Sequence, residues 1–209
     1  RFNNFAYSIR ELSRHILYRL APDDDIKCCP WYHPTKNAND VIVITRADRI
    51  NYAIYGGFDN NALSIMGLKD SIDKARKNLL SSIDTLSKFT HINADTFNVV
   101  DSETNKLVDD VIDSFNGFVD CINDIRQQVV ACLEAEINQE ILSATIYETY
   151  SDIDILSTHS SIENYCIDSI IVDDITSQEV VLKVSGSVDV RLQYGSDGDQ
   201  KRGDGYVTN

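Results

Sequence analysis

The chain has 209 residues, of which 43% are hydrophobic and 25% charged, and its formal net charge is −14. This composition is that of a globular protein with room for one large domain or two modest ones, and it excludes a disordered chain. The longest apolar runs, such as Val41 to Ile44, are far too short to cross a bilayer, so no membrane partner is expected.

The charge is unevenly spread. Residues 1–100 hold 13 Lys and Arg against 11 Asp and Glu, a balance of +2, whereas residues 101–209 hold 6 against 22, a balance of −16. Any contact with RNA or DNA is therefore expected from the N-terminal half, because the second half repels a polyanion. The chain starts without Met and stops just after the onset of a strand, so it reads as a piece of a longer protein whose β region is incomplete. Five cysteines, odd in number and widely spaced, with no signal-peptide pattern, lead to the expectation of reduced thiols in a cytoplasmic protein.

The first expected element is a helix with Phe5, Ile9, Leu12, Ile16 and Leu20 on one apolar stripe. Ala21-Pro22 ends it, because proline cannot continue a helix. Residues 23–39 read as a polar loop in which Trp31 and Tyr32 form an apolar plug. Val41–Thr45 is a candidate strand. Thr45 is also a candidate N-cap for a helix over Arg46–Tyr55 that Gly56-Gly57 terminates. Residues 58–67 are ambiguous between helix and loop.

The positions Ile72, Ala75, Leu79, Ile83, Leu86 and Phe89 predict a second long helix from about Lys69 to Phe89. After a loop over residues 91–100, Val108, Val111, Phe115, Phe118, Ile122, Ile125, Val129 and Cys132 recur in alternating steps of three and four. That heptad seam predicts a helix from Ser102 to Ile137, about 50 Å long, which needs partners beyond the Lys69–Phe89 helix. The first helix and the segment Gln139–Tyr150 are the candidates. Beyond residue 158 the period changes to two. Val180, Leu182, Val184, Val188, Val190, Leu192 and Tyr194 face one way along a strand over 179–194, with Gly186 at a bulge or bend. Tyr165–Val172 is the expected partner strand, and Gly195–Gly205 a polar hairpin loop. The fold class is therefore α+β: a helical bundle over residues 1–157 and an antiparallel β domain over 158–209.

The candidate catalytic residues are Arg10, His15 and His91. Arg10 and His15 stand in an Arg-x4-His spacing that suits RNase chemistry without metal: imidazole titrates near neutrality, and guanidinium binds phosphate as a fork. On a helix the two lie about 140° apart, so one protomer does not readily aim both at one phosphate. The alternative is a surface arginine and a histidine paired with Glu11. His91 follows the second long helix, where an imidazole suits the carbonyl end of the helix dipole. Arg14, Arg46, Arg49, Lys74, Lys77 and Lys88 are the candidate nucleic-acid-binding residues, with Tyr7, Tyr18, Tyr52 and Tyr55 near them in sequence and available to stack on bases. A solvated face balanced by acids is the alternative. No cofactor and no metal are expected. Asp197, Asp199 and Asp204 in a glycine-rich turn are compatible with calcium or magnesium, and equally with ordinary turn chemistry. The pair Cys28-Cys29 with His33 lacks a second zinc-ligand pair.

Three stretches carry a family resemblance: SIRELSRH from Ser8 to His15, LSKFTH from Leu86 to His91, and VSGSVDVRLQYGSD from Val184 to Asp197. Together they resemble the bacterial predicted pPIWI-associating nucleases, encoded near prokaryotic Argonaute-like and other phage-defence genes. The helical part also resembles HEPN domains, all-helical bundles found in many defence and toxin RNases and often dimeric. HEPN nucleases carry their Arg-x4–6-His late in the bundle, whereas here it falls in the first helix. The resemblance implies a nuclease or nucleic-acid-binding component of an anti-phage defence system, with a protein partner or a homo-oligomer. The alternative is a non-catalytic helical scaffold that docks a partner through its heptad seam.

Overall fold

The computed structural model describes residues 2–90, 101–141, 143 and 159–208. Helices fill the N-terminal part and a small antiparallel sheet follows, so the architecture is the α+β one expected. Contacts divide the chain into two units, Arg1–Val129 with Asp174–Val181, and Val130–Asp173 with Leu182–Asn209. The expected boundary at 157/158 lies outside the described residues.

Helix α1 (Phe2–Leu20) buries Phe2, Ala6, Ser13 and Leu17. The face differs from the expected stripe, because Leu12, Ile16 and Leu20 are 53%, 39% and 46% exposed. The small Ala6 and Ser13 let neighbouring elements come close, and they centre the contact surface on themselves. The Ser13 hydroxyl tolerates burial by donating to the Ile9 carbonyl at 2.5 Å. Pro22 closes α1 and precedes a short helix, α2 (Asp23–Lys27), inside the segment expected to be loop. Asp23, Asp24 and Asp25 in its first turn favour it by facing the positive end of the helix dipole. Strands β1 (Thr35–Lys36) and β2 (Ile42–Val43) form a minimal antiparallel ribbon.

Helix α3 (Arg46–Tyr55) begins at the expected cap. Thr45 Oγ1 accepts from the Asp48 amide at 3.1 Å, and Asp48 Oδ2 accepts from the Thr45 amide at 2.8 Å. Gly56, at φ 53°, ends it. Trp31 donates from Nε1 to the Gly56 carbonyl at 2.7 Å and meets the Tyr55 ring edge-on, which is the expected plug. Residues 58–67 contain α4 (Asn60–Ile65), capped by Asp59. Helix α5 (Lys69–Phe89) has the predicted bounds and buries Ile72, Ala75, Leu79, Ile83 and Leu86.

Helix α6 (Asp101–Cys132) carries the heptad seam, with Val111, Phe118, Ile125 and Val129 buried. It spans about 48 Å at 1.5 Å per residue and stops five residues short of the expected Ile137, breaking at Leu133 before a further helix, α7, described at residues 134–141 and 143. As expected, α1 is a partner: Phe5 and Ile9 pack with Leu107, Val108 and Phe115 around a core of Phe2, Ala6, Leu86 and Val111. Of the other expected partner, Gln139–Tyr150, residues 139–141 and 143 are helical and the rest lies outside the described residues.

Strands β3 (His159–Ile175), β4 (Val180–Tyr194) and β5 (Tyr206–Thr208) form a sheet in that order. The period-two pattern holds on β4 apart from Val184, which is exposed: Val180, Leu182, Val188, Val190 and Leu192 are half-buried and Lys183, Asp189 and Arg191 exposed. Strand β3 is longer than predicted, and its turn to β4 falls at residues 176–179. At Gly186 the chains approach so closely that a Cβ would stand 2.3 Å from the Cys166 carbonyl oxygen. The expected Gly195–Gly205 loop holds a helix, α8 (Asp197–Arg202). In the first unit the tip of the β3–β4 hairpin meets the end of α3, where the Gly57 amide donates to the Thr176 carbonyl at 2.9 Å.

Candidate nucleic-acid interface

Helices α1 and α3 wall a cleft of about 330 Å³ in the first unit. Arg10 and Arg14, four apart on α1, stand on one side, and Arg46 and Arg49, three apart on α3, on the other; Leu17, Ile44 and Ile83 lie between them. Four of the nine residues singled out in the sequence are therefore brought to one concavity.

The arginines divide into two kinds. Arg49 is 4% exposed. It donates from Nη1 to the Ala21 carbonyl at 2.6 Å and from Nη2 to Asp23 at 2.5 Å, and lies 3.6 Å from the Tyr18 ring centroid. Arg10 donates to Thr90 Oγ1 at 3.1 Å and to Glu11 at 2.9 Å. Both act first as ties between segments. Arg14 and Arg46 are open instead, with side chains 56% and 51% exposed. Each makes a surface ion pair, Arg14 with Glu11 at 3.1 Å and Arg46 with Asp84 at 3.1 Å. Such pairs contribute little to stability, so an incoming phosphate can compete for both guanidiniums.

Glu11 is the acid within the cleft. The hydrogen bond from Arg10 holds its carboxyl below the usual range, helped by Arg14 and opposed by partial burial. It is not the partner of His15, the alternative weighed from the sequence. His15 is exposed on α1 and does not line the cleft. His91 lies outside the described residues, but Thr90, which accepts from Arg10, is the residue bonded to it. Lys74, Lys77 and Lys88 are exposed on α5 and are not part of the cleft lining; of the tyrosines expected to stack on bases, Tyr52 and Tyr55 are buried in the core and offer no ring to a base.

The remaining candidates have other duties. Asp199 caps α8, accepting from the Ser196 amide and hydroxyl and pairing with Arg202. Its carboxyl is held low, mainly by the Ser196 hydroxyl. No group of three or more metal-ligating side chains gathers among the described residues. The Cys29 thiol is buried, and burial pushes it up to about 11. Its Sγ donates to the Asp25 and Gly56 carbonyls.

Sequence reasoning missed a second concavity, of about 590 Å³, in the unit that holds α7. Leu133, Ile137 and Ile141 line one side and Ile167, Leu182 and Val188 the other, with Glu136 and Glu140 also in its lining. Its residues come from one helical and one alternating pattern, so neither periodicity reveals it alone.

The cleft sets four guanidiniums around an apolar floor, and fork-shaped donors of this kind match the geometry of phosphate. A family model described as predicted pPIWI-associating nuclease matches residues 1–115, and a second of the same description matches residues 122–209. The chain belongs to this family. All four cleft arginines fall within the first match. No curated protein and no solved structure matches the chain.

Proposed function

We propose that this chain is a nuclease subunit of a bacterial anti-phage defence system and that it receives nucleic acid at the α1–α3 cleft. The observation that carries the reading is the convergence of Arg10, Arg14, Arg46 and Arg49 in a chain of this family. Arg14 and Arg46 take the phosphates, and Lys74, Lys77 and Lys88 extend the positive surface along α5. Arg10 stabilises the charge that develops on the scissile phosphate, with a histidine as general base and no metal. His91 and His15 are the two candidates for that base, and His91 directly follows Thr90 in sequence, whose hydroxyl accepts from Arg10. His15, about 140° from Arg10 around α1, reaches that phosphate only from a second protomer.

Labelled RNA and DNA incubated with the wild type, Arg14→Ala/Arg46→Ala, His91→Ala and His15→Ala test this. The double variant is expected to lose binding, and His91→Ala to lose cleavage with binding retained. Cleavage unaltered in both histidine variants removes the catalytic assignments; binding unaltered in the double variant removes the cleft.

A second reading, a helical scaffold that self-associates, is favoured by the exposed row Leu12, Ile16 and Leu20 on α1. The heptad seam of α6 is the weaker candidate for it, since Val111, Phe118, Ile125 and Val129 are buried within the chain and Val108, Phe115 and Ile122 half-buried. Light scattering of Leu12→Asp/Ile16→Asp against wild type decides it: a monomer in both cases removes this reading.

A further inference from the structure

We propose that the nucleic acid taken by the cleft is single-stranded, with Tyr7 and Tyr18 as its base-stacking platforms; this rests on the cleft reading above. Tyr7, Arg10, Arg14 and Tyr18 recur at steps of three and four. At about 100° per residue they share an arc of about 80° on α1, and the two tyrosines stand about three turns apart with the arginines between them. Along one strip, the helix presents ring, guanidinium, guanidinium, ring.

Both rings are open to solvent, Tyr7 at 57% and Tyr18 at 54% exposure. A single exposed aromatic means little. These two also have a guanidinium against them, Arg10 at 5.8 Å from the Tyr7 centroid and Arg49 at 3.6 Å from the Tyr18 centroid. Arg49 is itself fixed by Ala21 and Asp23, so the Tyr18 ring is held on one face and its exposure belongs to the other. A cation behind a ring and an open face in front make a stacking surface for a base.

Bases within a duplex stack on one another and offer no face to an isolated ring; an unpaired base does. Along a single strand successive bases are separated by backbone phosphates, as the two rings on α1 are separated by the two guanidiniums. Glu11 does not cancel the strip, because its one carboxylate is shared between Arg10 and Arg14. Two cations against one anion leave it positive.

The test is fluorescence anisotropy of the full chain at low salt with labelled single-stranded RNA, single-stranded DNA and the matching duplexes. Tyr7→Ala and Tyr18→Ala are each expected to weaken single-strand binding about tenfold and to leave duplex binding unaltered, while Tyr18→Phe keeps wild-type affinity because stacking uses the ring. Circular dichroism melts establish that each variant is folded. Equal affinity for single strand and duplex, or alanine variants that bind single strands as the wild type does, overturns the proposal. Arg14→Ala/Arg46→Ala separates the two levels. If it weakens binding while the tyrosine variants do nothing, the cleft stands and the stacking fails; if it changes nothing, both fail.

Discussion

Arg49 lays its guanidinium 3.6 Å from the centre of the Tyr18 ring, tying the start of α3 to the end of α1. The same side chain donates to the Ala21 carbonyl and to Asp23, so one buried cation closes three contacts at the point where the chain turns from α1 into α2. Replacing it by alanine leaves the Ala21 carbonyl without its donor and opens space behind the ring. Arg49→Ala is expected to destabilise the fold by about 2–4 kcal/mol. Arg49→Lys is expected to rescue little, because an ammonium has neither the planar fork nor the stacking face. Urea denaturation of the three proteins measures this.

The Gly57 position predicts a second large effect. A Cβ there would meet the Ser177 carbonyl oxygen at 2.4 Å, and one at Gly56 would meet the Ile175 carbonyl oxygen at 2.5 Å. Both clashes are with backbone, which cannot swing aside. Gly57→Ala is expected to cost about 2 kcal/mol or more by forcing the hairpin tip away. Gly67→Ala is the control, since nothing stands within 4 Å of its would-be Cβ and only the strain of its φ of 71° remains. Thermal melts of the two variants are expected to rank Gly57→Ala well below Gly67→Ala.

The bounds of α3 and α5 were legible because their signals are local: a capping box at Thr45 and Asp48, a glycine stop, and one apolar stripe on α5. The face of α1 was not. Leu12 and Ile16 outrank Ala6 and Ser13 in hydrophobicity, yet the smaller pair is buried because close approach selects for size. α2 and α8 escaped notice for a related reason, since five- and six-residue helices have too little length to show a period. The cleft was legible only as a set of arginines. Which of them tie the fold and which stay open depends on Ala21, Asp23 and Thr90, partners tens of residues away.

Thiol chemistry gives a pH prediction. Burial, the leading cause, raises Cys29 and Cys121 from 9.0 to about 11, while Cys28, Cys132 and Cys166 are exposed. A thiol reagent at neutral pH is expected to modify those three quickly and the buried pair only on unfolding. Because the folded values lie above the unfolded ones, the stabilisation is fully present below pH 9.0 and is lost as pH rises through about 11. Burial also raises Tyr52 and Tyr55, which extends the loss further into alkali. Melting temperature followed from pH 8 to 11 is expected to fall throughout the upper part of that range, and Cys29→Ser/Cys121→Ser to soften the fall.

Glu11→Gln is the sharpest probe of the cleft. It removes the carboxylate that Arg10 and Arg14 share and keeps its shape. Oligonucleotide affinity is expected to rise severalfold, with a salt dependence steeper by about one phosphate contact. Stability is expected to fall only slightly, because the half-buried Arg10–Glu11 pair becomes a hydrogen bond in which a neutral amide oxygen still accepts. Anisotropy titrations at several salt concentrations, with a denaturation curve beside them, separate the two effects.

The hairpin tip over Asp174–Val181 shares its unit with Arg1–Val129 rather than with the rest of its own strands. A chain shortened to its first 129 residues would therefore lose the segment that caps Gly56 and Gly57 and would bare the end of α3 to water. Attempts to express the arginine-bearing helices by themselves should accordingly retain the hairpin, or graft its tip back through a short linker.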